Sequence, residues 1–470
     1  MALLKIAVAS QVPRDADAIR QLLTPWDITF TGLDDADIVI SYGEKPSETK
    51  KTLVIPSDFP QFVNWTKEAK LKISRKNEER ILSVAYEQTV LTFTPRTQHY
   101  YEMPRGSTAE DSTSTEIMLD ERQAILTFDV IVAYNRVLDE TLNARESRTY
   151  RLLTGLPIPY SLAPPQLRDF LMSGDAKSDD LTFSDKLPLD ALRLIIVNAI
   201  EKLSNRKVSK KRWSGKRFAC LLTHDVETKK GLQSAKRLKK LEEKYAIPSA
   251  WYVPSEHYKL DHGILEDLAN YGEIGAHDTK HDGKLIRLPE QEMVKRLKTA
   301  KQALEKLTSC SVRGFRAPLL QHNYVISRAL NQAGYEYDTS IPTWEPKHPY
   351  TMKSHGIGTV FPFSINSAFE IPVTLPQDHQ MIHSMHMNPR QTLEIWSKLI
   401  EEIKTMGGLC LLLVHPDYEL ADVKNQRTYE ELLNSIANSD ASVTLPGNLK
   451  SGVPNRSFPQ NELITSQKHG

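Results

Sequence analysis

The chain has 470 residues, with 60 Lys plus Arg against 59 Asp plus Glu and a formal net charge of +1. That balance argues against a dedicated nucleic-acid binder, which needs a basic excess to neutralise phosphates. With 40% hydrophobic and 25% charged residues the chain is in the globular range, and no run approaches the ~20 apolar residues of a membrane span.

In chain order, residues 4–9, 36–41 and 52–55 are short apolar runs of buried-strand type, with a helix over 15–23 between the first two. Residues 106–115 (GSTAEDSTST) read as an exposed loop, 123–142 as helical, and 153–190, rich in Pro, Asp and Ser, as a surface wrap. Residues 189–203 form an amphipathic helix with apolar Leu192, Leu194, Ile195, Ala199 and Leu203. The basic run KLSNRKVSKKRWSGKR (202–217) reads as an anionic-partner site with Trp213 as a stacking ring, or as a solvated linker; the neutral total charge favours the linker.

Beyond it strands and helices alternate. Strands are expected at 218–223, 250–253, 273–276, 312–316, 335–338, 370–373 and 409–414, with helices at 229–245, 263–271, 289–307, 323–333 and 390–406. This rhythm implies parallel β/α units and a distorted, nearly closed β/α barrel of the TIM-barrel type. The expected division is an α/β domain over 1–205, a linker over 206–217, the barrel over 218–446 and a loosely ordered tail over 447–470. Cys220, Cys310 and Cys410 are too few and too widely spaced for a disulfide framework or a CxxC metal site. The opening MALLKIAVAS lacks the charged and long apolar regions of a signal peptide, so a cytoplasmic protein is expected.

The polar residues fall at strand ends. Thr223-His224-Asp225-Val226-Glu227 follows the first barrel strand, and His277-Asp278-Thr279-Lys280-His281 the third. Arg316-Ala317-Pro318, Asp338-Thr339-Ser340 and His415-Pro416-Asp417 follow three later ones. The C-terminal face is where barrels of this kind assemble their active sites from several loops. Two His and one carboxylate make a tripod for a divalent metal with an open position; a second carboxylate then serves as base and a separate His as acid.

These motifs resemble the polysaccharide deacetylase family, the NodB-homology domain of metal-dependent carbohydrate esterases, over residues 215–445. The resemblance implies Asp225 as base, Glu227, His277 and His281 as ligands of a divalent metal, expected to be zinc, and Arg316 as the partner that keeps Asp225 ionised. It also implies the backbone N–H of Leu319 as an oxyanion donor and His415 as the acid on the leaving amine. Asp338 is expected either to hydrogen-bond His415 or to cap a turn, and Asp378 to line the substrate cleft. The chain departs from the family pattern at Val226-Glu227, where an Asp-x-Asp branch carries Asp, and at Asp278 in place of Ser or Thr. His224 is expected behind the base. His379, His383 and His386, at near-helical spacing, suggest a polar, partly exposed helix rather than a second metal site. The implied activity is removal of an acetyl group from an N-acetylated sugar in a polymer or precursor. The alternatives are a non-sugar amide or ureide at the same site, or a carbohydrate-binding barrel that has lost catalysis. No motif in residues 1–205 suggests a chemistry.

Overall fold

In the computed structural model the described residues are 3–68, 72–74, 81–86, 89–94, 100–102, 115–155, 181–365 and 368–449. The N-terminal half centres on β1 (Leu4–Ser10), β2 (Ile28–Phe30), β3 (Ile38–Tyr42) and β4 (Lys51–Ile55). Two antiparallel pairs follow, β5 (Lys72–Ser74) with β8 (Tyr100–Glu102) and β6 (Leu82–Tyr86) with β7 (Thr89–Phe93). The main sheet is completed by β9 (Glu116–Met118) and β10 (Gln123–Leu126), in the order β2-β1-β3-β4-β10-β9. All its pairs are parallel except β9 with β10. The helical expectation for 123–142 is therefore corrected: residues 123–126 are a strand, and the helix is Val130–Leu142. Asp129 separates the two, its Oδ1 accepting from the N–H groups of Ile131 and Val132 at 2.9 and 3.0 Å, as an N-cap does. Most of the loop expected at 106–115 and of the wrap at 153–190 lies outside the described residues.

The helix Pro188–Ser204 is buried on nearly every face rather than amphipathic. Its Asp190 and Arg193 pair at 2.7 Å, both almost fully buried. Asp190 also accepts from Val360 N and Thr359 Oγ1 at 2.9 and 2.6 Å, which ties this helix to the barrel half. The basic segment after it is largely exposed, yet tied at several points to both halves. Ser209 O accepts from Asp27 N at 2.8 Å, Lys211 N donates to Pro25 O at 2.9 Å, and Trp213 Nε1 donates to Gly407 O at 2.9 Å. Lys210 lies over the rings of Trp26 and Phe361.

The barrel strands are β11 (Phe218–Asp225), β12 (Ser249–Val253), β13 (Glu273–Ala276), β14 (Gly314–Phe315), β15 (Tyr337–Asp338), β16 (Phe363–Ile365), β17 (Ala368–Glu370), β18 (Leu409–Leu413) and β19 (Ala441–Val443). The sheet runs β16-β17-β15-β14-β13-β12-β11-β18, parallel except for the β16–β17 hairpin, and β19 pairs with the start of β11. No strand pair closes the circle among the described residues. At the seam, Leu411 N donates to Thr374 Oγ1 at 2.7 Å and Leu375 N to Leu411 O at 3.4 Å. The result is a distorted α/β barrel.

Alternation along the strands sorts the core. Ala219, Leu221, Ala250, Tyr252, Tyr337, Leu409, Leu411 and Leu413 form an inner cluster, while Cys220, Leu222, Trp251 and Leu412 belong to the larger core beneath the helices. Tyr252 and Tyr337 cross the interior and meet through their hydroxyls at 3.1 Å. Gly275 and Gly314 give them room, since a Cβ at either position would lie 2.4 Å or less from the facing ring. After β18 the helix Gln426–Ala437, absent from the sequence reading, covers β19, and the expected tail begins with a short helix at Pro446–Leu449. Residues 450–470 lie outside the described residues. No helix among the described residues is long and apolar enough to cross a membrane.

Candidate active site

Strand alternation aims Asp225 inward and His224 outward. His224 stacks on Trp251 at 4.0 Å, meets Val414 O through Nδ1 at 2.9 Å and Glu242 through Nε2 at 3.1 Å. It faces the helical layer, away from the site. Asp225 ends β11 inside the barrel mouth, where Arg316 Nη1 donates to its Oδ1 at 2.9 Å. The guanidinium is itself fixed: Nε donates to Thr339 O, Nη1 to Thr223 Oγ1 and Nη2 to Thr339 Oγ1, at 3.0, 3.0 and 3.1 Å. Tyr252 lies 4.4 Å beneath it, and no part of Arg316 reaches solvent.

Two residues on, Glu227 turns back toward the same point. Its N–H donates to Asp417 Oδ2 at 3.0 Å, its Oε1 lies 3.0 Å from His281 Nε2, and Tyr418 donates to Oε2 at 3.3 Å. His277 Nε2 is 4.0 Å from Glu227 Oε1 and 3.9 Å from Asp225 Oδ2. The other nitrogen, Nδ1, faces Arg316 O at 2.8 Å, so it carries the hydrogen and leaves Nε2 as an acceptor. That Nε2 is buried and has no hydrogen-bond partner.

The loop between the two histidines needs unusual backbone. Asp278 and His281 have φ of 66° and 50°, in the left-handed region. Asp278, where the family pattern has Ser or Thr, is fully buried and pairs with Arg296 Nε at 2.7 Å. Arg296 also reaches Asp282 at 2.7 Å, so one guanidinium braces both ends of the turn.

His415 follows β18 and closes the group from the opposite side. Its Nε2 stands 4.0 Å from Asp225 Oδ2 and 3.9 Å from Glu227 Oε1. Behind it Asp378 holds the ring through Nδ1 at 2.6 Å and accepts from the His415 N–H at 2.9 Å.

Charge follows from these contacts. Burial opposes the charge on Asp225, but Arg316 above all, with His415, holds its carboxyl below the ordinary range. Burial is likewise outweighed at Glu227, which His281 above all keeps well below the ordinary range. Burial dominates at His277 and pushes it down to about 4, leaving a neutral imidazole. At His415 burial is overcome by Asp378, with Glu227 and Asp225, and the ring is pushed up to about 10. One wall of the site therefore presents a carboxylate and the other an imidazolium.

Asp225, Glu227, His277, His281, Arg316 and His415 meet at one barrel mouth. Two of the expected aspartates lie buried behind this group rather than in its open mouth. Asp378 is fully buried behind His415 and does not line open space. Asp338 does not reach His415: its carboxyl, also buried, accepts from Ser340 Oγ at 2.5 Å beside Glu370, which in turn accepts from Ser340 N and Ile341 N. Leu319 lies on the rim with φ 57° and ψ 24°, a strained conformation for a leucine. Gln380–Ser384 forms one wide helical turn, with His379 packed on Tyr418 at 4.7 Å and His383 Nε2 2.9 Å from Glu419. Among the described residues the side chains grouped to hold a metal ion are Glu227, His277 and His281, within 4.8 Å of one another. Sequence reading missed Tyr418, Asp417 and Thr339. Asp417 and Thr339 carried a signal, each sitting in a polar run at a strand end, beside His415 and Asp338; Tyr418 carried none.

The donor set fits a divalent ion. Donors about 2.0–2.1 Å from one zinc lie no more than roughly 4.2 Å apart, which suits the spacings that Glu227 Oε1 makes. The unpartnered Nε2 of a neutral His277 is the buried acceptor such an ion would satisfy.

Residues 215–337 match the polysaccharide deacetylase family, a stretch that contains Asp225, Glu227, His277, His281 and Arg316 and ends before Asp378 and His415. A protein from Mycobacterium smegmatis described as a polysaccharide deacetylase has a similar structure at 18% identity and TM-score 0.44, over 54% of this chain and 98% of that one. One from Pseudomonas aeruginosa PAO1, also described as a polysaccharide deacetylase, is 14% identical with TM-score 0.40, over 51% and 92%. Puue allantoinase is 13% identical with TM-score 0.41, over 51% and 91%. No curated protein matches the chain.

Proposed function

We propose that this chain, which carries a polysaccharide deacetylase match over residues 215–337, is a metal-dependent hydrolase that removes an acetyl group from an N-acetylated sugar. The observation that carries the reading is the opposition of Asp225 Oδ2 and His415 Nε2 at 4.0 Å, beside the grouped Glu227, His277 and His281. Base and acid stand on facing walls, and the donors for a metal lie next to both.

Glu227, His277 and His281 would hold the ion, zinc by the character of two imidazoles and one carboxylate. When bound, such an ion supplies Lewis acidity toward a carbonyl and a lower pKa for water. Asp225, kept ionised by Arg316, takes the proton of the attacking water at Oδ2, since Oδ1 is engaged by the guanidinium. The Leu319 N–H, on a strained turn at the rim, is the donor offered to the developing oxyanion. His415, kept protonated by Asp378, gives its Nε2 proton to the departing amine. Asp378 then stabilises the orientation of the neutral ring through Nδ1.

The test is acetate release from N-acetylated amino-sugar monomers and oligomers, with and without a chelator. Release that stops on chelation and returns with zinc supports the proposal. Hydrolysis of linear amides or a cyclic ureide with no release from any sugar moves the same site to another substrate, and full activity after complete metal removal defeats the metal assignment.

A further inference from the structure

We infer that Tyr150, which lies on the helix Arg148–Gly155 of the N-terminal half, is a positioning residue that fixes the spacing of two active-site loops. One loop carries His277 and His281 and the other Arg316 and Leu319. The inference rests on the proposed metal and hydrolase reading of the barrel.

Tyr150 is buried, and its hydroxyl donates to Gly283 O at 2.9 Å, two residues past His281. The same hydroxyl accepts from Gln321 Nε2, two residues past Leu319. Gln321 is fully buried; its Nε2 also donates to Gly283 O at 2.6 Å, and its Oε1 accepts from Ile286 N at 3.3 Å. One phenol, one carboxamide and one carbonyl thus form a closed triangle away from water, where such bonds are strongest. A third barrel loop joins through Tyr350, whose carbonyl accepts from Ser147 N at 3.2 Å and whose ring meets Tyr150 edge-on at 5.2 Å.

The two bridged loops have reason to need an external tie. Asp278 and His281 have φ of 66° and 50°, and Leu319 and Leu320 have φ of 57° and 49°. Left-handed conformations at non-glycine residues persist only where the surroundings over-determine them. Arg296 braces the histidine loop from below through Asp278 and Asp282. His277 Nδ1 and Arg316 O join the two loops near the strand ends, and the Tyr150 triangle joins them again farther out, with its phenol supplied from outside the barrel. On this view the N-terminal half completes the site rather than merely preceding it.

The experiment uses the full chain and two conservative variants, Tyr150→Phe and Gln321→Met, alone and combined. Zinc affinity is measured by chelator competition, and kcat and KM by acetate release. The expected results are about tenfold weaker zinc binding and a lower kcat with KM within about twofold, the scale typical of groups supporting a metal ligand from outside. The double variant should lose less than the sum of the singles, because both remove the Tyr150–Gln321 bond. A Tyr150→Phe chain that binds zinc and turns over like the parent, whatever its melting temperature, overturns the inference. So do single effects that add in full. A parent chain that binds zinc and releases no acetate defeats the deacetylase reading alone, since zinc affinity and its coupling still decide the role of Tyr150.

Discussion

Asp378 Oδ1 lies 2.6 Å from His415 Nδ1, and its second oxygen accepts from the His415 backbone N–H at 2.9 Å. A carboxylate so placed fixes the ring's orientation and favours its charged form, which a general acid needs before it acts. The pair lies 37 residues apart in sequence and meets because the segment after Thr374 runs along the barrel seam beside β18.

Removing that charge should change the alkaline side of the rate profile. His415 is held up near 10 chiefly by Asp378, so Asp378→Asn should bring it down toward the ordinary value near 6.5. As the proposed acid, His415 works only while protonated, so the fall in kcat/KM on raising pH should begin at lower pH in the variant. Stability follows the same sign. The contribution of a raised histidine is complete below its ordinary pKa and is lost as pH rises through about 10, so Asp378→Asn should flatten that dependence. Rate profiles and denaturation at several pH values check both.

Arg316 should govern the acid side. It holds Asp225 below the ordinary carboxyl range against burial, and Asp225 as the proposed base works only when ionised. Arg316→Lys cannot keep the contacts to Thr223, Thr339 and Asp225 at once. The acidic limb should therefore move to higher pH, with a loss in kcat/KM of about 10²–10⁴-fold. An unmoved acidic limb would remove Arg316 from this role.

The junction between the halves has its own test. Asp190→Ala leaves Arg193 charged and buried beside the freed Val360 N–H, and breaking a buried pair costs about 3–5 kcal/mol. Urea unfolding should show a loss of that size, while Lys45→Ala, at an exposed ion pair, should cost less than about 1 kcal/mol.

His277→Ala and His281→Ala should each abolish stoichiometric zinc binding, measured by metal analysis after dialysis. His277→Ala removes the buried acceptor that has no other partner. Retention of one zinc per chain by both variants would place the metal elsewhere.

Much of this was legible in the sequence. The strand-end placement of Asp225 and Glu227 and the apolar run before His415 translate directly into the barrel mouth, whereas His277 and His281 meet there on a loop with left-handed backbone and not on a helical turn. Legibility fails where long-range pairing decides. Residues 123–126 are apolar in any pattern, and only their place beside β4 makes them a strand. Asp338 and Asp378 are both acidic residues near barrel strands. Which one meets His415 depends on a seam with no strand pair, which local patterning does not encode. Tyr150 gave no signal, because its partners lie more than 130 residues away.

The most direct test is to measure zinc content and acetate release on one preparation of Asp225→Asn. Its side chain keeps the shape and cannot take a proton from water, and it is not among the grouped metal donors. About one zinc per chain with acetate release reduced at least ~10²-fold is the expected result. Full activity, or loss of zinc from Asp225→Asn while Glu227→Gln retains it, would contradict the assignment of Asp225 as base and Glu227 as ligand.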